Sequence, residues 1–456
     1  MSNFFTLDFV PLLTAVFAAL SCALLGNFLV LRRLSLMGDA ISHTVLPGIV
    51  FSFLVFDTRG GPLLLLGAMM AAIITTVLVE TTKKLANLET GAAMGVVFSS
   101  LFALGVLMME QASARSVDLD AECLLYGQLE GLLWMPPVEA TGIKALLYIP
   151  VELYTVFGVF AVSVGFVVLF YKELRLASFD PEMSTSLGYN ATLLHYLQMI
   201  VTAAAVVASF EAVGSILVIG MLICPAATAR LLTDSLRVQL LSSLLVALTT
   251  TVIGYFLATQ APYWIGLDVS LNASGVMLVT AGLFFTIVAI FGPRYGVLAQ
   301  RIVQRKLSTT IILEDILGIL FRAQEQSEDS SSSSQTRPAL ARQKETPTLE
   351  DIRIRLPHPC NDRQLSKAID MGYREGLLAK VALPLIELTA AGKDKALNLV
   401  RSHRLWENYL LEHTDLDSHQ VHKPAESLEH ITSPELQEEL VAQNTNRQDP
   451  HGNKIP

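Results

Sequence analysis

The sequence predicts two unlike parts: an all-α polytopic membrane bundle of about nine spans, then an α+β winged-helix domain. Three observations predict it. Hydrophobic residues make up 52% of the 456-residue chain, charged residues only 16%, and the mean hydropathy is +0.50; soluble proteins average about 25% charged residues. Apolar runs recur as far as residue 291. Beyond Leu307 the composition turns polar, with a Ser-rich tract and then short amphipathic segments. The net charge of −9 argues against a protein that coats nucleic acid, although it averages the two parts. Cys22, Cys123, Cys224 and Cys360 are scattered without a C-x-x-C pair, so neither a disulfide framework nor a zinc ribbon is predicted. The start, Met1 to Phe5, lacks a basic n-region and does not read as a cleaved signal peptide.

The apolar runs fall near 8–31, 39–56, 62–80, 91–109, 146–170, 193–209, 212–231, 238–258 and 274–291. Each is about long enough to cross a hydrocarbon core of roughly 30 Å. Arg32/Arg33, Lys83/Lys84, Lys172/Arg175, Arg230/Arg237 and Arg294/Arg301/Arg305/Lys306 share one side when the spans alternate. Asp118, Asp120, Glu122, Glu130, Glu139 and Asp268 lie opposite. The excess of basic residues marks the cytoplasmic side, so the N-terminus is expected outside and everything after Arg294 inside.

The segment Leu31 to Gly48 places Asp39 and His43 four residues apart at the cytoplasmic mouth of an apolar helix. Positions i and i+4 share a helix face. Ionisable groups are costly in hydrocarbon and usually face a bundle interior on an ion or substrate path. Asp with His also suits a divalent transition metal. The plainer alternative is a carboxylate at a helix N-terminus and a packed histidine. Glu211, between two apolar runs, is a second path group if it sits at bilayer depth and merely solvated if it sits in an outer turn.

Ser178 to Asn190 reads as a short cytoplasmic helix. Asp180 can cap it, Pro181 suits the first helical position, Glu182 favours the N-terminal dipole and Gly188 suits the end. Such a helix is either what an attached motor pushes or a simple connection.

The runs G-D-A-I-S-H-T-V-L-P-G (38–48), S-F-D-P-E-M-S-T-S-L-G (178–188) and L-I-C-P-A-A-T-A-R-L-L (222–232) resemble the membrane permeases of bacterial ABC importers for manganese, zinc and iron. The resemblance covers residues 8–300. It implies a helical bundle in the cytoplasmic (inner) membrane that dimerises, or pairs with another permease, around a central path. An ATPase subunit would dock on the 178–190 region, Leu187 included, and an extracellular or periplasmic metal-binding protein would deliver the ion. Asp39 and His43 match the family's metal-contacting positions, whereas at Glu211 family members more often have an amide. The chain has no G-x-x-x-x-G-K-[ST]; the nearest string, Ala390 to Asp394, lacks the first Gly and the Ser/Thr. It is therefore expected to bind no nucleotide and to be a translocation subunit, not an enzyme.

The membrane part is read as 1–306 and a first helix (Thr309–Arg322) plus linker as 307–348, the linker running from Glu325 to Thr348 and containing the Ser330 to Ser334 run. Over 349–402, helices at Leu349–Leu356 and Asn361–Met371, a strand-like Val381–Leu388 and a helix at Thr389–Ser402 follow the order of a winged helix-turn-helix. Arg363 and Lys367, four apart on the second helix, are candidate DNA contacts, although a basic helix face is commonly just solvated. The last region, 403–456, is rich in histidine. His403 and Glu407 are i and i+4; His422, Glu426, Glu429 and His430 share one helix face. Two such helices meeting would make an N/O cage for manganese, iron(II) or zinc.

L-T-A-A-G-K-D-K-A (388–396), R-S-H-R-L-W-E-N-Y-L (401–410), V-H-K-P-A-E-S-L-E-H (421–430) and D-P-H-G-N-K-I-P (449–456) resemble the diphtheria-toxin-repressor family of metal-dependent repressors, manganese regulators included. The resemblance covers roughly 307–456 and makes its end a helical metal-binding and dimerisation region. It implies that His403, Glu407, His422, Glu426, Glu429 and His430 form two metal sites, with Asp315 a further ligand. Glu426 stands where the iron-type branch has cysteine. Two departures stand out: the Ser-rich run interrupts the path after Asp315, and Gly318 stands where the manganese branch has a carboxylate.

The expected function is thus a permease subunit of an ATP-driven divalent-metal importer (iron, manganese or zinc). Its fused domain takes the same class of metal as co-repressor and binds operator DNA. The alternative is a membrane-tethered or proteolytically released metal-dependent regulator whose spans do not transport.

Overall fold

The computed structural model describes residues 7–56, 62–113, 127, 129–134, 148–264, 266, 271–332, 347–357, 360–380, 386–444 and 448–456. The acidic positions Asp118, Asp120, Glu122, Glu139 and Asp268, together with Cys123, residues 333–346 of the linker and 381–385 of the expected strand, lie outside them. The chain divides into two compact units, Met1–Gln300 and Arg301–Pro456.

The first unit is helical: α1 (Phe9–Leu31), α2 (Leu36–Phe56), α3 (Pro62–Ala86), α4 (Thr90–Ser113), α5 (Val151–Leu169), α6 (Tyr171–Phe179), α7 (Pro181–Ser186), α8 (Ala191–Val213), α9 (Ser215–Leu232), α10 (Leu236–Trp264) and α11 (Ala273–Phe291). Nine of these described helices are long and apolar enough to cross a membrane, all but α6 and α7, and they coincide with the nine apolar runs. Helix α1 is central, packing on α5, α8, α9 and α10. Its Ala15, Ala18, Ala19 and Ala23 are buried, and small residues let helices approach where there is no water to drive them together. At Gly26 a Cβ would stand 1.8 Å from the Leu222 carbonyl oxygen of α9, so only glycine fits there. Gly48 of α2 and Gly67 of α3 meet in the same way, each Cβ falling 2.3 to 2.5 Å from the other's carbonyl oxygen. Leu241, Leu245, Val168 and Leu283 point outward, as in helices apolar all round.

In the second unit, α12 (Val297–Ser332) enters from the first and is followed by α13 (Leu349–Arg355), α14 (Asp362–Arg374), β1 (Leu378–Lys380), β2 (Ile386–Leu388), α15 (Ala390–His413), α16 (His422–Glu429) and α17 (Pro434–Gln443). Ile312, Leu313, Ile316, Leu317 and Leu320 form one face of α12 and pack with Ile352, Leu365, Ala368, Ile386, Ala396 and Val400. Thr348 with Asp351, and Asn361 with Gln364, form capping boxes that start α13 and α14. β1 and β2 pair antiparallel with Leu378 opposite Leu388. Thr389 caps α15, accepting from Gly392 N at 3.0 Å.

Three boundaries differ from the sequence reading. The divisions at 306/307 and 402/403 fall inside α12 and α15, because neither place has a Gly, a Pro or a capping residue to end a helix. The stretch read as linker from Glu325 is helical as far as Ser332. Arg404 holds it through Glu325, at 3.1 and 2.6 Å.

Candidate functional site

In the first unit, α2 carries Asp39 in its first turn and His43 one turn on. His43 Nε2 lies 3.3 Å from Asp39 Oδ1, with both side chains partly exposed. The imidazole packs on Phe98 and Phe102 of α4, with ring centroids 5.0 and 5.6 Å away. A neighbouring bond from Thr75 to Thr44, 2.8 Å long, joins α3 to α2. Glu211 sits in the last turn of α8, before Gly214 at φ +80 opens α9; its side chain lies outside the described residues.

The 178–190 segment folds as its residues dictate. Asp180 Oδ1 accepts from Met183 N at 2.9 Å, Pro181 takes the first helical position with Glu182 beside it, and α7 ends at Ser186, two residues before Gly188 at φ +89. Asn190 then caps α8 through Leu193 N at 2.9 Å. Phe179, Met183 and Leu187 are left exposed.

Among the described residues, the groups of three or more metal-ligating side chains lie in the second unit. The first joins α15 to α16. Glu407 Oε1 stands 3.1 Å from His403 Nε2 and 2.8 Å from His422 Nδ1, and the two nitrogens are 3.1 Å apart. The second joins α12 to the end of α16. His430 Nε2 is 3.1 Å from Asp315 Oδ1 and 3.9 Å from Glu429 Oε1. The Ser-rich run therefore does not separate Asp315 from the cluster. The helix face read as one set from His422 to His430 is divided: His422 serves the first group, Glu429 and His430 the second. Glu426 lines a cavity of about 230 Å³ with Glu314, Asp315 and His430.

These groups are strongly polarised. Burial opposes the charged His430 ring, yet Asp315 and Glu314 prevail and push it up to about 10. His403 is raised by Glu407 and Glu429 against the same burial penalty. Burial also opposes the Glu407 anion, but His403 and His422 hold its carboxyl down at about 2. Glu426 moves the other way, raised by burial and by the nearby Asp315 and Glu429. The donor set fits a first-row divalent cation by its own chemistry, imidazole and carboxylate, with Asp315, His403, Glu407 and Glu429 buried and His422 open to solvent. His403 Nδ1 meets Glu429 Oε2 at 2.5 Å, which leaves Nε2 of the same ring facing Glu407 and His422.

The sequence reading missed three supporting residues. Glu314 accepts from His430 Nδ1 at 2.9 Å. Arg404 reaches Asp449 Oδ2 at 3.5 Å and the Lys454 carbonyl at 2.5 Å, tying the C-terminal turn to α15. His451, on that turn, brings Nε2 within 3.8 Å of Glu407. Glu314 had a signal as a second carboxylate beside Asp315, and His451 as a histidine within the D-P-H-G-N-K-I-P run. Arg363 and Lys367 are exposed on α14, whose Asp362 pairs with Arg353 at 2.9 Å.

The family model described as the ABC 3 transport family matches residues 7–292. That described as the iron dependent repressor, metal binding and dimerisation domain, matches residues 389–456. The manganese transport system membrane protein MntD of Bacillus subtilis is 38% identical over 63% of this chain and 93% of its own length. The zinc transport system membrane protein TroD of Treponema pallidum is 36% identical over 65% and 77%. The solved structure of PsaBC from Streptococcus pneumoniae in complex with Fab has a TM-score of 0.52 and 27% identity, covering 66% of this chain and 98% of that one. With a matching family model over most of its length, the chain belongs to the ABC 3 transport family, as a permease whose polypeptide continues into a metal-binding and dimerisation domain of the iron-dependent-repressor type.

Proposed function

We propose that the chain is the membrane subunit of an ATP-driven importer of a first-row divalent cation, and that its second unit gauges the same class of ion in the cytoplasm. The observation that carries this reading is one polypeptide holding an Asp39/His43 pair on a membrane helix and two N/O clusters, built on buried carboxylates, beyond the last span. The names of the relatives, manganese and zinc transport membrane proteins, favour those two metals as cargo, with iron(II) close in ligand preference.

In this reading the basic loops face the cytoplasm of a bacterial inner membrane, with the N-terminus outside. Asp39 and His43 line the path, and Glu211 is a further candidate on it. A separate ATPase would seat on α7, where Phe179, Met183 and Leu187 offer an exposed apolar face and the Asp180 cap and Pro181, with Glu182 in the first turn and Gly188 at the end, keep the helix in shape. An external metal-binding protein would supply the ion, and two permeases would enclose the path.

In the second unit His403, Glu407 and His422 would hold one cation, and Asp315, Glu426, Glu429 and His430 another. In the second set a bound cation would supply positive charge where three carboxylates, Asp315, Glu426 and Glu429, gather. The chain's own part is to hold those ligands ready. Glu407 keeps both histidines of its cluster aligned, and Glu429 stands between the two clusters. DNA contact by the exposed Arg363 and Lys367 would make the unit a repressor of uptake.

The decisive measurement is accumulation of manganese, iron(II) and zinc in cells co-expressing the partner ATPase, comparing the chain with His43→Ala. Accumulation of one metal that His43→Ala abolishes, at equal protein level, supports the permease reading. No accumulation, with metal-dependent DNA binding by the full chain, would favour a membrane-tethered regulator instead.

A further inference from the structure

His430 has two ring nitrogens, and the structure gives each a different neighbour. Nε2 looks into the second cluster, 3.1 Å from Asp315 Oδ1. Nδ1 looks away from it and donates to Glu314 Oε2 at 2.9 Å. Glu314 and Asp315 are consecutive on α12, yet they meet opposite edges of the same buried ring. The second oxygen of Glu314, Oε1, lies 3.2 Å from Lys395 Nζ on α15. One oxygen of Glu314 thus holds the outer nitrogen of the cluster's histidine, and the other holds a lysine outside the cluster.

We propose that Glu314 is a positioning residue that fixes the tautomer and tilt of His430, and that Lys395 sets how much negative charge Glu314 presents to the ring. This rests on reading the Asp315/Glu429/His430 cluster as a metal site. An imidazole offers a cation one lone pair, and its other N–H needs an acceptor. A carboxylate in that place locks the ring and makes the offered nitrogen a stronger donor. Lys395 opposes this by drawing charge from Glu314. Because Lys395 lies on the helix that leaves β2, this chain of contacts also joins the cluster to the segment carrying the small sheet.

The rival account is that Glu314 and Lys395 merely pin α12 to α15. Two substitutions separate the accounts, because both break the same ion pair. Glu314→Gln removes the charge behind His430, whereas Lys395→Met leaves that charge undiluted. The test uses the full-length chain in detergent with Mn²⁺ alone, free ion being counted by electron paramagnetic resonance. The part of the isotherm lost in Asp315→Asn reports this cluster. Glu314→Gln is expected to weaken that part by about 10- to 100-fold, and Lys395→Met to bind as tightly as the unsubstituted chain or more tightly. Equal weakening by both, or no change with Glu314→Gln, overturns the proposal. Should Glu314→Gln fail to fold, weakened binding by a folded Lys395→Met overturns it alone, and unweakened binding upholds it. Absence of any Asp315-dependent binding in the unsubstituted chain removes the cluster reading itself, and the proposal with it.

Discussion

Glu429 Oε2 lies 2.5 Å from His403 Nδ1, so a carboxylate of one cluster leans on a histidine of the other. Both side chains are buried, at 6% and 3% exposed. Glu429→Gln is therefore expected to weaken metal binding at both clusters, not one. The effect should be about 10- to 100-fold at each. Isothermal titration of the full chain with Mn²⁺ checks it; loss of one binding step with the other untouched would falsify the coupling.

Metal affinity should rise with pH. In the metal-free protein His430 holds its proton up to about 10, and a ligating nitrogen must give that proton up. Below that value each displaced proton strengthens apparent affinity by about tenfold per pH unit. Titrations in buffers of different ionisation enthalpy would count the protons released. Release of none would contradict the ligand assignment.

The stability of the metal-free second unit follows from the same groups with opposite signs. The contribution of His430 is raised-pKa in kind, so it is complete below about 6.5 and is lost as pH rises through about 10. That of Glu407 is depressed-pKa in kind, complete above the usual carboxylate range and lost as pH falls through about 2. Thermal melting of the chelator-treated chain is expected to be flattest between about pH 5 and 6, to decline as pH rises through neutrality toward 10, and to decline again in acid.

Within the membrane bundle, Gly48→Ala should push α2 from α3, since its Cβ would sit 2.3 Å from the Gly67 carbonyl oxygen. Overpacking of this kind costs about 1–3 kcal/mol or more. A lowered melting temperature in detergent, with reduced metal uptake, is the expected result; a chain as stable as the original would show that α2 and α3 can separate freely.

At α7, Asp180→Ala removes the cap on Met183 N, worth about 1 kcal/mol. Six residues of helix cannot absorb that loss, so ATP-driven uptake should fall while the amount of protein in the membrane stays the same. Uptake at the original rate would argue against α7 as the coupling element.

Much of this was legible from residues alone, and for physical reasons. The nine crossing helices announce themselves because lipid demands long apolar runs. The caps at Asp180 and Thr389 follow local chemistry, and His403 with Glu407 follows helical spacing. Tertiary partnerships were not legible. His422 and His430 share a helix face in sequence, yet their partners come from α15 and α12, elements 15 and more than 100 residues away. Arg404 carried no signal, since a buried arginine looks like any other until its acceptors, Glu325 and the 449–454 turn, are folded around it.

Only residues 292–296 separate α11 from α12, and α12 supplies both Asp315 and core residues of the second unit. Its consequence is one of counting. Every copy made carries one transport unit and one metal-binding unit, so their ratio is set at translation and cannot drift with expression. Wherever two such chains pair in the membrane, their metal-binding units are held within a tether's reach. Their effective concentration there is on the order of millimolar, whatever the number of copies in the cell.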